Sequence, residues 1–373
     1  MPKLRLLLLF GTRPEAVKMA PVVHECRRRQ EAIEPIVVAA GQHRELLEPA
    51  IEYFELRPDR RLDAMRPGQS LAELTSASLL AVDALLAELR PDCLVVQGDT
   101  TTVMAASLAA FYRSVPLAHV EAGLRTRNLR APWPEELNRR VASISTAVHF
   151  APTRRAAEAL LAEGVPAASV HITGNTVVDA LLWTLERERG HSDHWERKHA
   201  MLGPRRLVLI TGHRRESFGA GLQQVCAAIA QLSERFPDVQ FIYPVHLNPN
   251  VLLPVRRMLS GRPNIHLAEP ASYPEFVWLM CRATLIITDS GGVQEEAPSL
   301  RKPVLVTRET TERPEAVEAG AAVLVGTSSQ AIVEHAARLL TDPAEYARRQ
   351  ATANPYGDGQ AAKRIVDVLE GQR

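Results

Sequence analysis

Six short apolar runs in the first half of the chain, and six more in the second, alternate with stretches long enough to be helices. The first set covers 4–10 (LRLLLLF), 35–40, 93–97, 116–120, 147–151 and 170–173. The second covers 206–211, 239–245, 264–268, 283–288, 303–307 and 321–325. These runs lack the polar alternation of a strand with one wet face, so they read as strands buried on both faces. The stretches between them, such as 70–89, repeat apolar residues every three to four positions, as an amphipathic helix does. Buried strands separated by helices form parallel sheets with right-handed crossovers. The expected fold class is α/β, with two Rossmann-like, doubly wound domains in series.

A chain of 373 residues, 46% of them hydrophobic, can fill two cores. The charged stretch 186–204 interrupts the pattern, and the Thr-Gly-Asn turn at 173–175 precedes it. The hinge is expected near that turn. Domain one then spans 1–172, with a C-terminal helix at about 356–373 packing back on it, and domain two spans 173–355. Lys and Arg number 44 against 43 Asp and Glu, which leaves no footprint for nucleic acid and no polybasic membrane surface. The apolar N-terminal run is too short to span a bilayer and lacks the features of a signal peptide. The four cysteines are scattered without metal or disulfide spacing. Three read as small core residues, and Cys26 is the least clear. A cytoplasmic protein is expected.

Ligands of open α/β sheets bind beyond the carboxyl ends of the strands, and the loops there hold an unusual set of groups. After the first strand, GTRPEAVK places Arg13 and Lys18 near a helix start, where an anion would be favoured. Neither the Walker spacing nor GxGxxG is present, so no nicotinamide site is expected. GDTTT brings Asp99, EAGLRT brings Glu121, and PWPEELNRR brings Glu135, Glu136, Asn138, Arg139 and Arg140. Taken singly, acidic residues at helix starts are ordinary caps. Three carboxylates from separate loops, Asp99, Glu121 and Glu135, equip a site for proton transfer. In the second domain, TGHRRESFG places His213, Arg214 and Arg215 after a strand. DSGGVQEE sets Ser290, Gly291 and Gly292 at a helix start suited to a phosphate, and Glu296 where it can accept hydrogen bonds from a diol. Arg313 opens another helix. Twelve histidines show no metal-ligand spacing, and no metal site is expected. The sum suggests a cleft between the domains that holds a diphosphate, a ribose and a reactive sugar.

The motifs FGTRPEAVKMAP, GDTTT, HVEAGLRT, PWPEELNRR, TGNTVVDAL, TGHRRESFG, YPVHLNPNV, TDSGGVQEEAPSL, KPVLVTRETTERPEAVEAG and NPYGDGQA run in order through nearly the whole chain. Together they resemble the bacterial non-hydrolysing UDP-N-acetylglucosamine 2-epimerases. The resemblance implies a GT-B-like fold with its two domains facing across a cleft. It implies a homodimer without cofactor that interconverts UDP-N-acetylglucosamine and UDP-N-acetylmannosamine. The family route eliminates UDP to 2-acetamidoglucal and adds it back. Asp99, Glu121 and Glu135 match the acid/base carboxylates, with neither face of the sugar assigned to any of them. His213 matches the histidine near the leaving phosphate. Arg13, Lys18, Arg139, Phe276, Ser290, Gly291, Gly292, Glu296 and Arg313 match substrate-binding positions. Ala271 stands where relatives often carry glutamine. Gln42, Arg44, Glu136, Arg214 and His246 match the site of a second, regulatory UDP-N-acetylglucosamine. The alternatives are a hydrolysing epimerase that releases N-acetylmannosamine, a GT-B glycosyltransferase and a non-catalytic nucleotide-sugar sensor.

Overall fold

In the computed structural model the chain forms two compact units. The structure describes residues 2–41, 44–63, 66, 68–212, 214 and 218–372, with 44–46 described by backbone alone. The first unit, 1–180 with 356–373, runs β1 (Leu4–Phe10), α1 (Arg13–Arg28), β2 (Ile33–Ala39), α2 (Arg44–Tyr53), β3 (Arg60–Arg61), α3 (Leu71–Leu89), β4 (Cys93–Gln97) and α4 (Thr101–Tyr112). It continues through β5 (Leu117–Val120), α5 (Glu135–Ser145), β6 (Val148–Ala151), α6 (Arg154–Ala162), β7 (Val170–Ile172) and α7 (Thr176–Glu188). The second unit, 181–355, runs α8 (Ser192–Lys198), β8 (Leu207–Thr211), α9 (Ala220–Arg235), β9 (Gln240–Pro244), α10 (Pro249–Leu259), β10 (Ile265–Ala268) and α11 (Tyr273–Arg282). Then come β11 (Leu285–Thr288), α12 (Gly291–Glu296), β12 (Val304–Val306), α13 (Pro314–Glu318), β13 (Ala322–Leu324), α14 (Ser329–Thr341) and α15 (Pro343–Arg348). The last helix, α16 (Ala361–Gly371), belongs to the first unit.

Both sheets are parallel throughout. Their strand orders are β3-β2-β1-β4-β5-β6-β7 and β10-β9-β8-β11-β12-β13. Each order reverses once, between β1 and β4 in the first sheet and between β8 and β11 in the second. At such a reversal the flanking helices leave to opposite faces, so a crevice opens beyond the strand ends. Leu6–Phe10, Leu94–Val96 and Leu207–Ile210 are buried on both faces, as their unbroken apolar runs require.

Capping residues set the helix starts. In α1 and α3, Thr12 and Ser70 cap while Glu15 and Glu73 bond back to the cap backbone, closing a capping box. Helix α4 buries Ala105, Ala106, Ala109 and Ala110, small side chains that let α3 and α5 pack closely on it.

Three expectations change. The 173–175 turn is no hinge: Asn175 N–H donates to Tyr356 O (2.7 Å) and Thr173 N–H to Ala151 O (3.0 Å). These bonds lock the turn into the first unit, and the boundary falls inside α7, between Ala180 and Leu181. Cys26 is fully buried, whereas Cys281 is the cysteine that is only partly so; all four are free thiols. The third change is β3, which no apolar run foreshadows. Among the described residues no helix is long and apolar enough to cross a membrane.

Candidate active site

In the first unit the reversal brings the turn after β1 beside the turn after β4. The first turn is organised by Glu15, whose buried carboxylate accepts from Gly11 N–H (2.7 Å) and Thr12 N–H (2.8 Å). Burial pushes this carboxyl up from its ordinary value, against the lowering effect of its hydrogen bonds. These two N–H groups, which precede the first residue of α1, are thus already engaged. Arg13, the first residue of α1, is exposed. Lys18 is buried, and its Nζ lies 2.6 Å from Glu121 Oε2.

Asp99 follows β4 on a turn whose Gly98 has φ +84°. Its Oδ2 takes two hydrogen bonds from Arg139, from Nε (2.9 Å) and Nη2 (2.7 Å), which fix the carboxylate in one orientation. Asn138 holds the Asp99 carbonyl (2.9 Å), and the Thr100 hydroxyl donates to Glu15 (2.7 Å). Glu121 follows the adjacent strand β5. It accepts from Lys18 and from Gln97 Nε2 (2.5 Å). Its φ of +64° lies in the left-handed region that non-glycine residues rarely adopt, a strain typical of functional positions. Glu135 opens α5. Its Oε2 is buried and meets no hydrogen-bond donor among the described residues, which marks it as a group that can take a proton or a ligand. The three expected carboxylates therefore sit on neighbouring elements, with Arg139 and Lys18 engaged to them.

Glu136 is different. Its carboxylate is fully buried and accepts from Thr126 N–H and Arg127 N–H (3.0 Å each) and from Arg139 (3.1 Å). Through these bonds it braces the 121–131 loop. Gln42, His213 and Arg215 lie outside the described residues, as does the side chain of Arg44.

In the second unit, β11 leads into Asp289 and Ser290. Ser290 N–H donates to Thr288 Oγ1 (2.9 Å), and Gln294 Nε2 donates to Ser290 O (3.1 Å). Ser290 makes no side-chain capping bond to α12, unlike Thr12, Ser70 and Thr100 on their helices. A helix start without a side-chain cap keeps its N–H groups for an anion. Gly291 matters through space: a Cβ there would fall 2.5 Å from Arg313 Cζ. Arg313 donates to Glu295 (2.5 Å) and Glu312 (2.6 Å). Burial alone would raise the Glu312 carboxyl, but Arg313, Arg214 and Arg308 together hold it far below the usual range. Glu296 accepts from Tyr273 Oη (2.6 Å), and Phe276 lies half-buried on α11. His246 is exposed and accepts from Asn248 N–H at Nδ1 (3.1 Å). Arg214 N–H donates to Asp289 (2.9 Å).

Reasoning from sequence missed Glu15, Gln97, Gln294, Glu295 and Glu312, which orient the expected groups. One had a readable signal, because Thr12-x-x-Glu15 is a capping-box spacing.

Three carboxylates gathered on neighbouring elements of the first unit, and a glycine turn beside a buried arginine at the reversal of the second, belong to an α/β enzyme of the GT-B-like class with two Rossmann-like domains. The family model described as UDP-N-acetylglucosamine 2-epimerase matches residues 24–370. The chain is 50% identical to the UDP-N-acetylglucosamine 2-epimerases of Yersinia pestis and of Escherichia coli K12, over 99% of each chain. A crystal structure of the Neisseria meningitidis UDP-GlcNAc 2-epimerase, bound to UDP-GlcNAc, superposes with a TM-score of 0.95 at 46% identity, covering 98% of this chain and 99% of that one. The chain belongs to the UDP-N-acetylglucosamine 2-epimerase family, whose members are isomerases.

Proposed function

We propose that epimerisation at carbon 2 runs by elimination and re-addition, without net hydrolysis. A carboxylate of the first unit takes the carbon 2 proton, and the C–H electron pair becomes the double bond to carbon 1. The carbon 1–oxygen bond breaks, and its pair leaves on the diphosphate of UDP. Re-addition reverses these steps with the proton delivered to the opposite face. The observation that carries this reading is the grouping of Asp99, Glu121 and Glu135 on adjacent elements, one with a buried oxygen that accepts no hydrogen bond among the described residues. Two proton-transfer groups are the minimum for inversion, and each contributes roughly 10²–10⁴-fold.

The nucleotide falls to the second unit in this reading. The N–H groups at the start of α12 receive the diphosphate, Arg313 and His213 stabilise its developing charge, Glu296 takes the ribose diol, and Phe276 lies against the uracil. Charge stabilisation by one such donor is worth about 3–4 kcal/mol. Because the carbon 2 proton is not acidic beside an acetamido group, departure of UDP leads and proton loss follows. The test is turnover of UDP-N-acetylglucosamine in heavy water. UDP-N-acetylmannosamine carrying deuterium at carbon 2, with no accumulating free sugar, is expected. Free N-acetylmannosamine as the main product would replace this reading with hydrolysis.

We further propose a homodimer that takes a second UDP-N-acetylglucosamine as activator. Exposed Leu80, Phe111, Tyr112 and Ile144 lie on α3, α4 and α5, helices that pack side by side, and they support self-association through the first unit. Sedimentation of wild type against Ile144→Asp tests the dimer, and a sigmoidal rate dependence on substrate tests the activator.

A further inference from the structure

His119 has no part in the chemistry above, yet it sits on β5 two residues before Glu121 and is almost wholly buried. Its Nε2 lies 2.7 Å from the carbonyl oxygen of Gly98. A carbonyl only accepts, so Nε2 carries the proton and donates. Nδ1 is then the lone-pair nitrogen; it is buried and meets no hydrogen-bond donor among the described residues. The ring stays neutral there, because burial pushes its pKa down to about 4.

The carbonyl that His119 holds is the one immediately before Asp99. Gly98 N–H donates to Val120 O (3.1 Å), so β5 grips Gly98 twice, by main chain from Val120 and by side chain from His119. The same strand runs directly into Glu121. Gly98 has a positive φ and no side chain to hold its turn, so without the imidazole its carbonyl loses its partner. Asn138 and Glu15 fix the next two residues, Asp99 and Thr100, from other elements. The His119 bond is a side-chain link between the Asp99 turn and β5, the strand that leads into Glu121.

We propose that His119 is a positioning residue for the epimerisation: its Nε2–H, on the Gly98 carbonyl, sets the placement of the Asp99 carboxylate relative to that of Glu121. The inference rests on the reading that these carboxylates exchange protons with carbon 2. Misplacing a reacting group by about 1 Å costs up to about 10²-fold in rate.

The test compares full-length wild type with His119→Phe, which fills the space without the donor, and His119→Gln, whose amide nitrogen falls near the Nε2 position. His119→Phe is expected to lower kcat about 10- to 100-fold while KM stays within about twofold. The deuterium isotope effect with substrate labelled at carbon 2 should rise as proton transfer becomes rate-limiting. His119→Gln should recover kcat to within about fivefold of wild type. A Phe variant with wild-type kcat, a slow Phe variant with an unchanged isotope effect, or a Gln variant no better than Phe would each overturn the proposal. If His119→Phe does not fold by circular dichroism, His119→Asn takes its place. The Asn amide is too short to reach Gly98, and equality with Gln would overturn the role. Wild type failing to take up solvent deuterium at carbon 2 sinks the elimination reading itself; deuterium uptake with Phe matching wild type sinks only the role of His119.

Discussion

Gly291 and Gly292 stand side by side but answer different questions. A methyl at 291 would press on the Arg313 guanidinium at 2.5 Å, and that group is buried and clamped by Glu295 and Glu312. A methyl at 292 meets nothing nearer than Glu296 Oε2 at 3.8 Å, an ordinary contact. Gly291→Ala should therefore destabilise the second unit by about 1–3 kcal/mol, the usual cost of overpacking. Gly292→Ala should leave the melting temperature close to wild type. If the turn receives a diphosphate, both substitutions raise KM, because both push side-chain bulk toward the backbone that must approach the ligand. Thermal melts with initial-rate kinetics separate the effects. A Gly292→Ala enzyme with unchanged KM would remove the phosphate from this turn. In the first unit, Glu121 allows a similar test. Lys18 and Gln97 both bond to its Oε2, so Lys18→Met should lower kcat more than it raises KM if Lys18 serves the carboxylate. A rise in KM alone would return Lys18 to the nucleotide.

The elements show why some of this was legible in sequence and some was not. Buried parallel strands announce themselves as apolar runs, and Asp99, Glu121 and Ser290 were found because they follow such runs. Strand β3 was not, because its two exposed arginines join the sheet through backbone bonds alone, opposite Val38 and Ala39. The partners that aim the carboxylates were hidden for a related reason. Gln97 and His119 are single polar residues inside apolar runs, and only the fold shows what they face. The turn at 173–175 read as a linker because its partner, Tyr356, lies far along the chain. Helix α16 is fixed to that region by Asp179, which accepts from Ala361 N–H (3.2 Å) and Ala362 N–H (2.9 Å). Burial outweighs these bonds and raises the Asp179 carboxyl to about 6. The folded state therefore binds this proton more tightly than the unfolded chain, whose aspartates titrate near 4. Its contribution to stability is full below about pH 4 and is lost as pH rises to about 6. The melting-temperature difference between wild type and Asp179→Asn should thus favour wild type more at pH 4 than at pH 7. An equal difference at both values would mean that Asp179 does not titrate in this window.

At the scale of the molecule, the two units are unequal in how the chain builds them. The second is one continuous segment, 181–355, with its own six-stranded sheet and its own apolar core from Val208 to Leu340. The first is assembled from both ends of the sequence, and α16 completes it by burying Ala361, Ala362, Ile365, Val366 and Leu369 and by packing on α1. Arg29 of α1 also pairs with Asp367 and Glu370 of that helix. Full burial of the three larger side chains contributes about 1.5–3 kcal/mol each, a sum comparable with the whole stability of a typical domain, about 5–15 kcal/mol. Ending the chain after Pro355 should therefore unfold the first unit and leave the second folded. Calorimetry on that truncated chain should show one transition in place of two, and that transition should still shift upward on addition of UDP if the second unit holds the nucleotide. Epimerisation should vanish if Asp99, Glu121 and Glu135 of the first unit carry the proton transfer. A truncated chain that still turns over substrate would show that α16 is dispensable. A remaining transition indifferent to UDP would place the nucleotide elsewhere.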